Sequence, residues 1–273
     1  MINRNIIKSA LFAVAVYLFV LFENKGLMVS EYEIKSDKIS DRYDGLNIVQ
    51  ISDLQNCEFG HKNKYLLRKI KKLSPDAAVI TGDIIDCHKT DVYSALDFVK
   101  QLRRICPVYY VCGNHEGVLG NYERLCGDLT ENGAVVLNNE SVYLNNDSKI
   151  RITGLKDPYF GESDNFGEFL SERINEDKDV FNIVLSHRPE LFEAYVESGC
   201  DLVFAGHAHG GQIRLPFTGG LFSPNQGIFP KYTSGVHSKD GTEMVVSRGL
   251  GNSVFPLRVF NRPEIVSVIL KKR

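Results

Sequence analysis

Short apolar runs, each stopped by glycine or by a polar side chain able to bind a metal, recur along this chain. Residues 46–52 form the first such run and end at Asp53; residues 77–81 end at Gly82-Asp83. Residues 108–112 lead into Gly113-Asn114-His115-Glu116, residues 181–186 into His187, and residues 202–205 into Gly206-His207-Ala208-His209-Gly210-Gly211-Gln212. Runs of this length bounded by turn residues predict buried strands. Helical stripes lie between the early ones. Leu66, Ile70 and Leu73 at i, i+4 and i+7 predict a helix over 61–73 with lysines on its solvated face. Val92, Ala95, Leu96, Val99 and Leu102 predict a second, and residues 121–132 a third that Gly133 terminates. Strand alternating with helix implies parallel pairing.

The pattern changes at residue 134. Residues 134–137, 141–144 and 150–155 are short strands joined by Asn and Asp turns, as in hairpins, so a mixed sheet is expected. Phe166, Phe169, Leu170 and Ile174 predict a helix, and Pro189 suits the first turn of another over 188–198. Strands at 242–247 and 265–270 close the chain, and weak alternation over 27–39 predicts an edge strand. Residues 215–230 are rich in Gly, Pro and Phe without a clear period. No internal repeat or low-complexity tract is present.

Residues 6–22 are apolar except for Lys8 and Ser9, at the lower edge of the ~17–25 residues a helix needs to span a bilayer. Arg4, Lys8 and the amino terminus precede this span, whereas Lys25 behind it is offset by Glu23, which favours a cytoplasmic residue 1–5 segment and an external body. The chain is thus expected to be a single-pass cell-membrane protein: anchor at 6–22, juxtamembrane segment and edge strand at 23–44, extracytoplasmic domain at 45–273. A cleaved signal peptide is the alternative, but no small-x-small pattern follows Phe22.

Charge narrows the partners. Lysine and arginine number 32 against 34 acidic residues, a net −2, so the general basic field of a nucleic-acid binder is missing. The six cysteines form no C-x-x-C pair, and a domain of this size needs no disulfide framework; free buried thiols are expected.

The five strand ends are where chemistry is expected. In an open α/β sheet, ligands bind in the crevice outside the carboxyl ends of the strands, so Asp53, Asp83, Asn114, His187, His207 and His209 can converge there. Taken singly, Asp53 and Asp83 could be turn formers or helix caps, Asn114 a turn residue, and His187 a satisfied loop histidine. Arg188 could clamp a phosphate or form a surface ion pair, and Asp86 could brace a ligand or start the following segment. His61, His88 and His237 lack such company and read as surface or structural.

Together, Asp53-Leu54-Gln55, Gly82-Asp83-Ile84-Ile85-Asp86, Gly113-Asn114-His115-Glu116, Ser186-His187-Arg188-Pro189 and Gly206-His207-Ala208-His209 resemble, in order, the calcineurin-like metallophosphoesterase family. The likeness runs from about Leu46 to the C-terminus and is greatest to the membrane-associated bacterial branch, through Ser247-Arg248-Gly249-Leu250-Gly251, Pro256-Leu257-Arg258 and Pro263-Glu264-Ile265. It implies an α/β fold, a four-layer α/β/β/α sandwich of two mixed sheets, and two divalent metal ions (Mn, Fe, Zn or Mg). It implies further that Asp83 bridges them, that Asp53 and His209 complete the first site, and that Asn114, His187 and His207 hold the second. Two cations close together lower the pKa of a water between them and hold phosphate oxygens for in-line attack. His115, outside the ligand set, is the candidate proton donor to the leaving group. Gln55 stands where the family pattern has histidine; an amide oxygen is a weaker donor than imidazole, favouring Mn or Mg there.

The expected function is therefore hydrolysis of a phosphodiester or lipid-linked phosphate by metal-activated hydroxide. Phe217, Leu221, Phe222, Ile228 and Phe229 directly after the ligands could admit an acyl chain. A phosphomonoesterase or pyrophosphatase, or a metal-binding module that has lost turnover, are the alternatives.

Overall fold

The computed structural model describes residues 4–146, 149–161, 166–177, 179–215, 217–252 and 255–273. Two six-stranded mixed sheets carry the fold. The first runs in the order Met28–Ser36, Glu264–Lys272, Asn47–Ile51, Ala77–Thr81, Val108–Val111, Ala134–Val136. Only the pairing of Glu264–Lys272 with Asn47–Ile51 is antiparallel. The second runs Gly235–Lys239, Thr242–Val246, Leu202–Ala205, Phe181–Leu185, Ile150–Gly154, Glu140–Tyr143, with antiparallel pairs at its two edges and parallel pairs between.

Both faces of each sheet are covered, which is why the central strands read as unbroken apolar runs rather than as alternations. Ile48, Val79, Val111, Ile152, Ile183, Phe204 and Val266 form the core between the sheets. Their strand neighbours Val49, Ile51, Ala78 and Ile80 face outward onto helices Lys64–Lys72, Val92–Arg103 and Tyr122–Glu131. On the far side, Val184, Val203 and Val246 pack on helices Phe166–Asn175 and Phe192–Ser198 through Leu170, Ile174, Phe192 and Tyr195. The expected four-layer sandwich is the one observed. Each fully buried Leu, Ile or Phe along these seams contributes about 1.5–3 kcal/mol relative to exposure.

Several boundaries differ from the sequence reading for local reasons. The helix expected over 61–73 becomes regular only at Lys64, because Lys62 and Asn63 take positive φ of 53° and 57° in a preceding 3₁₀ turn. The polar strand Gly235–Lys239 has no apolar alternation to announce it and is held by its partner Thr242–Val246. The stretch 215–230 contains two-residue strands, Arg214–Leu215 with Gly219–Gly220 and Phe222–Ser223 with Gly227–Ile228, too short for any period to register. All six cysteines are free; Cys106, Cys112 and Cys200 are buried as expected, but Cys57 and Cys87, in loops, and Cys126, within helix Tyr122–Glu131, are only half-buried.

The apolar N-terminal segment is a 22-residue helix, Arg4–Lys25, longer at both ends than the 6–22 expected. At 1.5 Å per residue it is about 33 Å long, the thickness of a bilayer core. Its Ile7–Lys25 portion is apolar enough to cross a membrane. Strand Met28–Ser36 follows as the edge of the first sheet, paired along its whole length with Glu264–Lys272.

Candidate metal centre

The strand ends do converge. Ligand atoms of Asp83, His187 and His207 lie within 4.8 Å of one another, as do those of Asp53, Asp83 and His209. Asp83 is common to both groups. Its Oδ2 is 3.3 Å from His187 Nε2, and its Oδ1 accepts the His115 backbone N–H at 2.8 Å. His187 Nε2 is in turn 3.1 Å from His207 Nδ1, and His209 Nε2 is 3.2 Å from Asp53 Oδ1. Asn114 opens the short helix Asn114–Gly117 whose His115 N–H reaches Asp83.

The backbone carrying these groups is strained where they are. Asp53, Gln55, Asp83, His207 and His209 all have positive φ, at 50°, 46°, 51°, 65° and 47°. Side-chain-bearing residues enter this region at about 1–3 kcal/mol each and stay only where neighbours over-determine them. Here Asp53 N–H donates to Gly82 O and Gln55 N–H to Asp83 O, while Gly251 N–H donates to Asp53 O. Close approach also demands glycine: a Cβ on Gly206 would fall 2.0 Å from Ser52 Oγ, and one on Gly113 2.3 Å from Asp83 Oδ1.

Fixed protons aim the imidazoles. His187 Nδ1 is 2.7 Å from Thr81 O, which can only accept, so Nδ1 holds the hydrogen and Nε2 faces the cluster. His115 Nδ1 accepts the Cys87 N–H at 3.1 Å, which places the proton of the neutral ring on Nε2. That atom is 3.4 Å from Gln55 Nε2 and 3.8 Å from Asp83 Oδ2. His88, expected to be a surface or structural residue, is exposed and meets the His115 ring edge-on.

Electrostatically the cluster behaves as a cation cage. Burial pushes Asp53 up to about 6, with His187 opposing. Burial also works against the Asp83 carboxylate, but His187 outweighs it and holds Asp83 well below the carboxylate range. His187 itself, which burial would lower, is raised to about 10 by Asp83. Burial, with His187 beside it, lowers His207 to about 3, and burial with Arg258 keeps His209 well below its usual range. A proton on His187 thus occupies a place where a divalent ion would satisfy the same carboxylates. Among the described residues, three buried atoms on these loops lack a hydrogen-bond partner: Asn114 Oδ1, Gln55 Oε1 and His209 Nδ1. Buried oxygens without donors are expensive, and the first two are the neutral oxygen donors a hard cation takes. The residues present fit a pair of divalent metals.

Two supporting residues were not singled out from sequence. Glu116 is wholly buried and accepts from Gly113 N at 2.7 Å, Asp83 N at 2.8 Å and Ile85 N at 3.3 Å; burial, with Asp83 nearby, pushes its carboxyl up to about 7. Arg258, also fully buried, donates to the carbonyls of Arg248, Gly251 and Asn261 and so ties the 248–261 loop around Asp53. An acidic residue three positions after glycine and an arginine in a proline-rich loop carried no signal of such burial. Arg188 requires a correction. It is neither a surface ion pair nor free to clamp phosphate: its Nε and Nη2 engage the buried Asp157 carboxylate at 2.6 and 2.8 Å, and Nη1 is 2.8 Å from His207 Nε2. Asp86 accepts the His88 N–H and lies 3.9 Å from His115 Nδ1, outside the ligand cluster.

Residues 46–211 match the calcineurin-like phosphoesterase family. The uncharacterized metallophosphoesterase YkuE of Bacillus subtilis is 34% identical over 252 residues, covering 89% of this chain and 85% of that protein. A transmembrane protein with a metallophosphoesterase domain from Danio rerio is 26% identical over 258 residues, 89% of this chain and 57% of the relative. Among solved structures, a dimetal phosphatase from Danio rerio superposes with a TM-score of 0.52 at 13% identity, covering 76% of this chain and 88% of that one, a likeness of fold. The family match over most of the domain and the convergence of its acidic and imidazole side chains in two buried groups that share Asp83 lead to one assignment: the chain belongs to the calcineurin-like phosphoesterases, hydrolases of phosphoric esters.

Proposed function

We infer that the chain hydrolyses a phosphodiester or lipid-linked phosphate, with two divalent cations held by Asp53, Asp83, Asn114, His187, His207 and His209. The observation that carries this reading is the Asp83 carboxylate shared by both ligand groups. When bound, the cation pair supplies Lewis acidity for the phosphate oxygens and activates the attacking water. Asp83 would be the ligand common to the two sites. Thr81 O fixes the tautomer of His187, and Arg188, locked by Asp157, orients His207. His115 donates the Nε2 proton to the departing alkoxide, held there by the Cys87 N–H on its other nitrogen.

His115→Asn is expected to lower kcat about 10²–10⁴-fold on an alkyl diester but far less on a nitrophenyl diester, whose leaving group needs no proton. Metal content should not change. Equal losses on the two substrates, or loss of metal, would place His115 among the ligands instead. Running the wild type on a lipid phosphodiester and on its water-soluble head-group diester tests the substrate class; equal kcat/KM removes the lipid.

Gln55 lies 3.3 Å from His209 Nε2 and 3.4 Å from Asp83 Oδ2 through Nε2, with Oε1 unpartnered. Turned over about its last bond, the amide would present the oxygen to the cluster, the donor that Mn or Mg prefers. Gln55→His should tighten Zn binding about tenfold or more relative to Mn. Titration calorimetry showing unchanged affinities would remove Gln55 from the metal's coordination.

The support for a single-pass anchor with the catalytic domain outside is the apolar Ile7–Lys25 helix and the placement of Arg4 and Lys8 before it.

A further inference from the structure

The loops that pack against the His207–His209 ligand loop carry exposed apolar side chains, most of them aromatic. Phe217, Phe222, Ile228, Phe229, Phe255 and Phe260 are all exposed, Ile228 by 72% and Phe229 by 60%. Single exposed apolar residues need no explanation, but a patch of this kind does. Phe217, Phe229 and Phe260 moreover sit at positive φ of 69°, 53° and 52°, a region that bulky side chains avoid unless something holds them there.

These loops are one body. Arg214 N–H donates to Val259 O, Leu221 N–H to Gly211 O and Phe229 N–H to Leu221 O. That body also holds the end of the apolar helix. Glu23 accepts the Asn261 N–H at 2.9 Å, Asn24 Oδ1 accepts the Arg258 N–H at 3.0 Å, and Phe19 packs edge-on against Phe260 at 5.7 Å. Asn261 then donates to the carbonyl of His209, itself one of the strained ligand residues, at 2.8 Å. A helix that crosses a bilayer therefore cannot emerge without carrying Phe260 and its neighbours to the same surface. Arg262, stacked over Phe22 at 4.7 Å, and exposed Lys231 supply the cationic heads that accompany aromatic rings at a headgroup layer.

We propose that residues 217–229 and 255–260 form a lipid-contacting collar that enters the headgroup region of the bilayer crossed by the N-terminal helix and holds the mouth of the metal centre against it. Asn225 links collar and centre. Lying between Phe222 and Ile228 on the hairpin, it places Oδ1 3.0 Å from His207 Nε2 and 3.1 Å from Arg188 Nη1. The substrate is then drawn from the lipid surface and not from bulk water. This rests on the membrane-crossing reading of the helix.

The chain contains no tryptophan, so single substitutions make clean depth probes. The full chain in lipid nanodiscs would carry Phe217→Trp, Phe229→Trp or Phe260→Trp, with Phe12→Trp in the helix and Asp37→Trp as references. Asp37 follows the nine-residue strand Met28–Ser36, about 30 Å from the helix exit at 3.3 Å per residue. The collar positions should be quenched by lipids brominated near the headgroup at least about threefold more than Asp37→Trp. Collar probes quenched only by aqueous acrylamide, like Asp37→Trp, overturn the proposal; if Phe12→Trp is still lipid-quenched, the collar fails and the anchor stands. Should Phe12→Trp escape lipid while the collar is quenched, the membrane-crossing reading of the helix fails and the proposal in this form fails with it. Shielding that appears only as protein concentration rises, without lipid quenching, would assign the patch to a second copy and likewise refute a lipid role.

Discussion

Asp83→Asn is expected to lower kcat/KM on a phosphodiester by on the order of 10³-fold or more, because one carboxylate serves both halves of the centre. An amide keeps the shape but loses the charge, and it cannot present two oxygens. One of the present oxygens already accepts the His115 N–H at 2.8 Å, and the other faces His187 Nε2 at 3.3 Å. Whichever way the amide turns, its NH₂ meets either a backbone donor or the cluster. Metal analysis should therefore fall from two ions per chain to one or fewer. The thermal response should vanish with it: a ligand at a hundred times its Kd stabilises by about 2.7 kcal/mol, a rise of about 5–10 °C for a domain of this size. Manganese should give that rise in the wild type and not in Asp83→Asn. Full metal content and retained stabilisation in the variant would show that Asp83 is not shared.

The second large effect is structural. Glu116→Ala should destabilise the domain by at least about 3 kcal/mol, since it leaves three buried backbone donors unpaired at about 1–3 kcal/mol each. At about 2–4 °C per kcal/mol, the melting temperature should drop by at least about 6 °C. Activity should fall as well, because the same carboxylate pins the Gly113 and Asp83 amides that hold Asp83 at φ 51°. Glu116→Gln, which keeps one acceptor oxygen, should recover part of both losses. Thermal melts followed by circular dichroism decide the matter: an alanine variant melting within about 2 °C of the wild type would mean that water replaces the carboxylate.

Periodicity and composition were sufficient for the central strands. Ala77–Thr81 ends where its apolar run ends, and Val108–Val111, Phe181–Leu185 and Leu202–Ala205 fall within one residue of theirs. The reason is that both faces of these strands are buried, so every position is under the same apolar demand. Gly235–Lys239 and the two-residue strands within 215–230 follow no such demand, because their partners rather than their own side chains fix them. Arg188 marks the same limit among the polar groups. Its neighbour Pro189 predicts a turn, yet nothing local says that Asp157, 31 residues away, will bury it.

What the sequence by itself determined is the inventory: which donors stand at the carboxyl ends of which strands, the glycines that let them approach, and an apolar segment long enough to cross a bilayer. These are local properties, set by side-chain chemistry and a short repeat. The tertiary structure alone decided that Glu116 is buried against the amides of Asp83 and Ile85, and that the end of the apolar helix packs on Asn261 and Phe260. These pairings join residues from 31 to 241 positions apart. Such pairings follow from how the sheets stack and how the chain returns to them, and no window along the chain contains that information.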